Sequence, residues 1–377
     1  MTRISRPKIA FRKHLVAFFA IFAAIGGRCG DCLQLHAQQS RKIPLKVIPS
    51  PAKATTVYLL DSKSVWDIGG LKENEDDEFL HNNGALTALL TFNGAAIVVD
   101  TYRIRFFTAA GKQSLVIGRR GRGPGEFINL SGVCQTRGDT IVASDPATHR
   151  FSVLTPTGTR VREVSTIAGS MPAQGCFDDG TFILSNLAPK RNGYDMVTIK
   201  RYDLFGKLLN EVGTFPLTFT QGGVQFQLNY GAIGTSLWVA DSRDGHVWRY
   251  NQLGNLEAEY QLSSPKQELS NSGSLVLDAP PSKNPERASL PKHYPMFSDT
   301  RISRDGLLWV QDYHPFGSRI DRWTAYDVIR GTATTLEFAS APLRGPTLLS
   351  VERNRMFSLS RDSSGAAHFT LTNLIRR

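Results

Sequence analysis

One pattern recurs along this chain and restricts its fold more than any bulk property does. A turn with Gly or Asp leads into a strand of β-branched and aromatic residues, which an acidic or amide residue closes. A short turn follows, then a second alternating strand that ends at Gly. The pattern appears as LTFNGAAIVVD ending at Asp100, GDTIVASD at Asp145, GTFILSN at Asn186, GTSLWVAD at Asp241, DGLLWVQD at Asp312 and MFSLSRD at Asp362. Gly111, Gly158, Gly206, Gly254 and Gly331 mark the turns after the second strands, where glycine tolerates positive φ. No stretch beyond the N-terminal region sustains the 3.6-residue apolar period of a helix. The expected class is all-β.

The six anchors are separated by 45, 41, 55, 71 and 50 residues. A period of ~40–50 residues with about four short strands is what one blade of a β-propeller occupies. The spacing therefore predicts a six-bladed β-propeller of four-stranded antiparallel blades over residues 55–377. The longest gap holds a Pro/Ser-rich insertion at about residues 263–295, whose six prolines cannot pair in a sheet. The stretch TTVYLLDSKSVWDI, residues 55–68, precedes the first anchor and is expected to add a strand to the last blade, so that no edge is left open.

The N-terminus reads differently. Arg3, Arg6, Lys8, Arg12 and Lys13 precede the apolar run LVAFFAIFAAI, and a small residue, Ala37, offers a cleavage point. Basic, then apolar, then small is the order of a secretory signal peptide, assigned to residues 1–37, with residues 38–54 as a linker. At 11 residues the run is short for a bilayer, which needs ~20. No transmembrane segment is expected after cleavage, and the protein is expected to be exported, periplasmic or extracellular. Residues 1–37 carry six Lys/Arg and one Asp, so the net charge falls from +11 to +6 without them. That bias is too mild for a nucleic-acid footprint. The CxxC of Cys29 and Cys32 lies in the leader, leaving Cys134 and Cys176. An even pair in an oxidising compartment is a disulfide candidate, with two buried free thiols as the alternative.

GRRGRGPGEF, residues 118–127, followed by a strand, VASD and PATHRFSVL, resembles the NHL-type six-bladed propeller repeat, and most closely the exported six-bladed propellers of Bacteroidetes and related bacteria. In that repeat a glycine loop ending in Glu/Gln-Phe enters the blade, and an Asp stands five residues before an Arg that starts the next strand. Asp100 with Arg105 and Asp145 with Arg150 fit; Asp241 meets His246 instead, and after Asp312 the arginine is displaced to Arg319. The resemblance speaks to fold and little to activity. Related propellers include lactonases and lyases that use a channel-bound divalent metal.

The arginine loop invites a phosphate-cradle reading, but a P-loop requires GxxxxGK[ST] before a helix, and here a strand follows without Lys-Ser/Thr. Two readings stand: an architectural joint, with Phe127 wedged between blades and Glu126 paired to an arginine, or an anion contact through Arg119, Arg120 and Arg122. Tyr313, His314 and Phe316 follow an anchor Asp and are candidates for a pocket rim. The acidic run KENEDDEF, residues 72–79, lacks the Gly-centred loop of an EF-hand and reads as solvated. Neither HExxH nor GxSxG is present, and no metal site is expected. Each anchor Asp is expected to cap its own turn. The function that follows is a non-catalytic, monomeric scaffold without a cofactor, binding an unknown protein or small-molecule ligand over one face. The alternative is a metal-dependent lactonase- or lyase-like enzyme with its site in the channel, in which case Ca²⁺ enters.

Overall fold

The computed structural model describes residues 43–48, 57–69, 87–166, 173, 175–191, 194–221, 224–262, 297–312, 320–328, 330, 332–339, 347–352, 354–363 and 365–376. Lys42–Arg377 cluster as one compact unit. The leader, the acidic run, the insertion and Tyr313, His314 and Phe316 lie outside the described residues.

Every regular element among the described residues is a strand. β1 (Lys46–Ile48) and β2 (Val57–Gly69) come first. Then follow β3 (Thr87–Leu90), β4 (Ala96–Asp100), β5 (Arg103–Phe107) and β6 (Gln113–Ile117), and next β7 (Gly132–Gln135), β8 (Ile141–Asp145), β9 (Arg150–Leu154) and β10 (Arg160–Ser165). The chain continues through β11 (Phe182–Arg191), β12 (Tyr194–Tyr202), β13 (Leu208–Gln221), β14 (Val224–Ile233), β15 (Ser236–Asp241), β16 (His246–Asn251) and β17 (Leu256–Leu262). It closes with β18 (Phe297–Ile302), β19 (Leu308–Asp312), β20 (Ile320–Asp327), β21 (Thr332–Ala339), β22 (Thr347–Glu352), β23 (Arg355–Arg361) and β24 (Ala367–Arg376).

β3–β6 and β7–β10 form separate four-stranded sheets, and the rest join into two eight-stranded ones. Within each sheet, neighbours in sequence pair antiparallel, as short turns require. The arrangement is propeller-like. β2 pairs antiparallel with β24, placing Trp66 opposite Leu371, and its first residues also run parallel to β21. Within the stretch expected as a linker, β1 forms a parallel strand on the outer edge of β17. Its Ile48 side chain is buried while Val47 is exposed, so a single apolar residue anchors it.

The strands that end at the anchors explain why the repeat is legible. AIVVD is buried at every position because β4 packs on both sides. Ala96 and Val98 join Trp66, Phe357 and Phe369, whereas Ile97 and Val99 join Phe127, Leu130 and Ile141. The same division holds in β15, where Leu237 and Val239 face one neighbour and Trp238 and Ala240 the other. A strand covered on both faces loses the polar half of its alternation and reads as an apolar run. All five tryptophans pack in layers of this kind, between successive groups of strands.

The shared five-residue Asp–Arg spacing conceals two geometries. β4 and β5 are joined by two residues, so Asp100 lies opposite Arg103 and the matching arginine, Arg105, is two positions inside β5. β8 and β9 are joined by four residues, and Asp145 lies opposite Arg150 itself. Arg105 Nε donates to Asp100 Oδ2 at 2.6 Å, with both residues fully buried. Arg150 instead pairs with Glu163. The expectation that each anchor caps its own turn holds in part. Asp145 accepts from the Ala147 and Thr148 amides, but also from Ile128 and Asn129 of the preceding loop.

The junction of β2 and β24 carries a titratable clamp. His368 lies between Asp67 Oδ1 at 3.0 Å from Nδ1 and Asp362 Oδ2 at 3.3 Å from Nε2. Burial pushes the imidazole down, and the two carboxylates more than offset it, leaving its pKa above the ordinary histidine value. A raised folded-state pKa stabilises fully below the unfolded value of about 6.5 and is lost as pH rises through the folded one. Between wild type and His368→Asn we expect a melting-temperature gap of roughly 1–3 °C at pH 5.5. The gap should close by pH 8.5, and thermal melts across that range check it.

Candidate functional site: an arginine loop and a central cavity

The loop 118–131 carries the chain from β6 to β7. Gly118 has φ 90°, and a Cβ there would meet the Tyr102 carbonyl oxygen at 2.6 Å. The Glu126 carboxylate organises the turn, accepting the Gly123 amide at 2.8 Å and Arg119 Nε at 2.9 Å. Those bonds, the Gly123 amide foremost, hold its pKa below the usual carboxylate value. From outside, Arg150 donates to the Gly123 and Glu126 carbonyls, and Asp145 takes the Ile128 and Asn129 amides. Phe127 is buried in the layer between β3–β6 and β7–β10. The glycines, Glu126 and Phe127 thus serve architecture. Of the three arginines, Arg119 is committed to Glu126, while Arg120 and Arg122 are exposed. Among the described residues neither has a side-chain partner.

Cys134 in β7 and Cys176 before β11 are joined in a disulfide, with Cα atoms 5.5 Å apart. Both are buried among Val142, Phe151, Phe182 and Leu184, between the second and third meanders.

A cavity of about 700 Å³ that the sequence patterns do not announce lies among β3, β7, β14, β18 and β22, with Ala173, Gly175 and Cys176 also in its wall. These strands adjoin one another, β3 against β7 and β22, and β18 against β14 and β22. Gly175 bridges Ala232 in parallel, and a Cβ at Gly175 would meet the Ala232 backbone at 2.2 Å. The wall includes Ala88, Leu89, Val133, Ala232 and Leu349.

The C-terminal ends of these strands converge on Arg304, in the turn after β18. Its Nη2 donates to Leu90 O at 2.5 Å and to Gln135 Oε1 at 3.4 Å. Its Nε lies 3.7 Å from Glu352 Oε1, and the Phe92 ring covers the guanidinium at 3.9 Å. Leu90, Gln135 and Glu352 are the last residues of β3, β7 and β22, so one side chain reaches across this end of the cavity. Burial lowers the Arg304 pKa, opposed by Glu352 and Asp139. Arg137 lies nearby, exposed and 3.6 Å from Asp178. Arg301 is engaged by Asp299, the Thr300 carbonyl and the Leu348 carbonyl. Among the described residues no group of three or more His, Cys, Asp or Glu could hold a metal ion, and no helix is long and apolar enough to cross a membrane.

Sheets set around a shared cavity define the class: this is a β-propeller fold. Solved structures agree at the level of the fold. A candidate exported protein from Bacteroides fragilis superposes with TM-score 0.54 at 13% identity, over 87% of this chain and 99% of its own. A member of the family DUF4221 from Bacteroides vulgatus gives TM-score 0.51 at 10% identity, over 85% and 98%. No protein-family profile and no curated protein matches the sequence.

Proposed function

We propose that the protein is an exported six-bladed β-propeller of the NHL type, acting as a non-catalytic scaffold that binds a ligand or protein partner over one face. Six apolar layers between successive antiparallel units support the blade count. The leader pattern of residues 1–37 supports export. One observation carries the binding role: a loop stiffened by Glu126, Asp145 and Arg150 holds Arg120 and Arg122 in solvent, with no side-chain partner among the described residues. A guanidinium held outward by a stiff frame suits an anionic group, because little freedom is lost when it binds. Tyr313, His314 and Phe316 stay in this proposal as candidates for a pocket rim.

Immobilised heparin is the test probe. Arg120→Ala with Arg122→Ala should weaken retention roughly tenfold, whereas Arg119→Ala should cost less because Arg119 is already paired. Unchanged retention after replacing all three would overturn the anion contact. Stoichiometric Ca²⁺ retained by the purified protein would overturn the non-catalytic reading.

A further inference from the structure

We propose that the central cavity binds a small carboxylic acid whose body is part apolar and part polar, its carboxylate received by Arg304. This site is separate from the arginine loop and does not depend on it.

A cavity of about 700 Å³ falls in the range of small-molecule sites. Its wall is mixed: Ala88, Leu89, Val133, Ala232 and Leu349 suit a hydrocarbon segment, and Thr87, Asn229, Thr300 and Ser350 suit polar groups along it. The charge sits at one end. Arg304 Nη2 is used by Leu90 and Gln135, and Nε has only the Glu352 contact at 3.7 Å, too long for a hydrogen bond. Nη1 has no partner among the described residues. A guanidinium presents its donors as a planar fork that matches a carboxylate, so the group that completes this one is a flat monoanion. Glu352 and Asp178 line the same end and disfavour a dianion such as phosphate by repulsion. Phe92 over one guanidinium face leaves the edge as the direction of approach.

The other wall groups specify the body further. Asn229 Nδ2 and Ser350 Oγ are buried in the cavity lining with no hydrogen-bond partner among the described residues. A buried polar atom favours a ligand that supplies its missing partner. The preferred acid therefore carries a hydroxyl or carbonyl oxygen along its chain.

Isothermal titration of the full chain with 3-hydroxyoctanoate tests the assignment, with 3-hydroxyoctanamide as the neutral control. The acid should bind at least tenfold more tightly than the amide. Arg304→Gln should reduce the acid to the amide's level. Equal binding of acid and amide, or an unaffected Arg304→Gln, would overturn the proposal. Should Arg304→Gln not fold, Glu352→Gln serves instead. Removing the competing carboxylate should tighten acid binding severalfold without altering the amide, and no difference between them would count against Arg304 as the receptor.

Discussion

Asp100→Ala should lower the unfolding free energy by about 3–5 kcal/mol, read from urea or guanidinium denaturation. The substitution leaves the Arg105 guanidinium in a site with no solvent access and without its carboxylate; Gln113 Oε1, 3.2 Å from Nη1, is a neutral acceptor and does not replace that charge. The Asp100 carboxyl is itself raised above its ordinary pKa because burial outweighs the pull of Arg105 and Arg103. The pair is thus a costly arrangement that becomes tolerable only when complete. Removing both charges, as in Asp100→Leu with Arg105→Met, should therefore be much milder than removing one. A double variant as unstable as Asp100→Ala would show that the pair contributes net stability.

The second large effect is expected at the disulfide. Cys134→Ala with Cys176→Ala should cost about 3–4 kcal/mol, since the bond closes a loop spanning 42 residues in the unfolded chain. Alanine is chosen because the site is apolar, and a serine hydroxyl there would add an unsatisfied polar group. Alkylation and mass spectrometry with and without reductant establish the bond directly. Full alkylation without reductant would remove the basis of the stability prediction.

Much of the fold is legible in the sequence. AIVVD, IVASD and SLWVAD declare their strands because both faces are buried, and the glycines at 111, 158, 206 and 254 declare their turns by taking φ near 80°. Phe127 and Glu126 were placed by the loop pattern alone. The Asp–Arg spacing misled because it counts residues along the chain, whereas contact depends on how many of them the turn consumes. β1 gave no warning, since a three-residue parallel strand has no turn to its partner and almost no periodicity. Arg304 was invisible for a related reason. Its contacts at Leu90 and Gln135 are 214 and 169 residues away, and each arginine in a strand-rich chain looks alike until the strands are set in place.

The pairing of β2 with β24 also bears on the timing of synthesis. Asp67 and His368, which meet across it, are separated by 301 residues. Each earlier meander can find its partners soon after it emerges, because its hairpins are local. β2 cannot: Trp66 and Ile68 can be covered early by Leu90, Ala96, Val98 and Phe107, but their contacts with Phe357, Phe369 and Leu371, and the pairing with β24, wait until nearly the whole chain has been made. A newly synthesised chain therefore stays open until its final strand arrives.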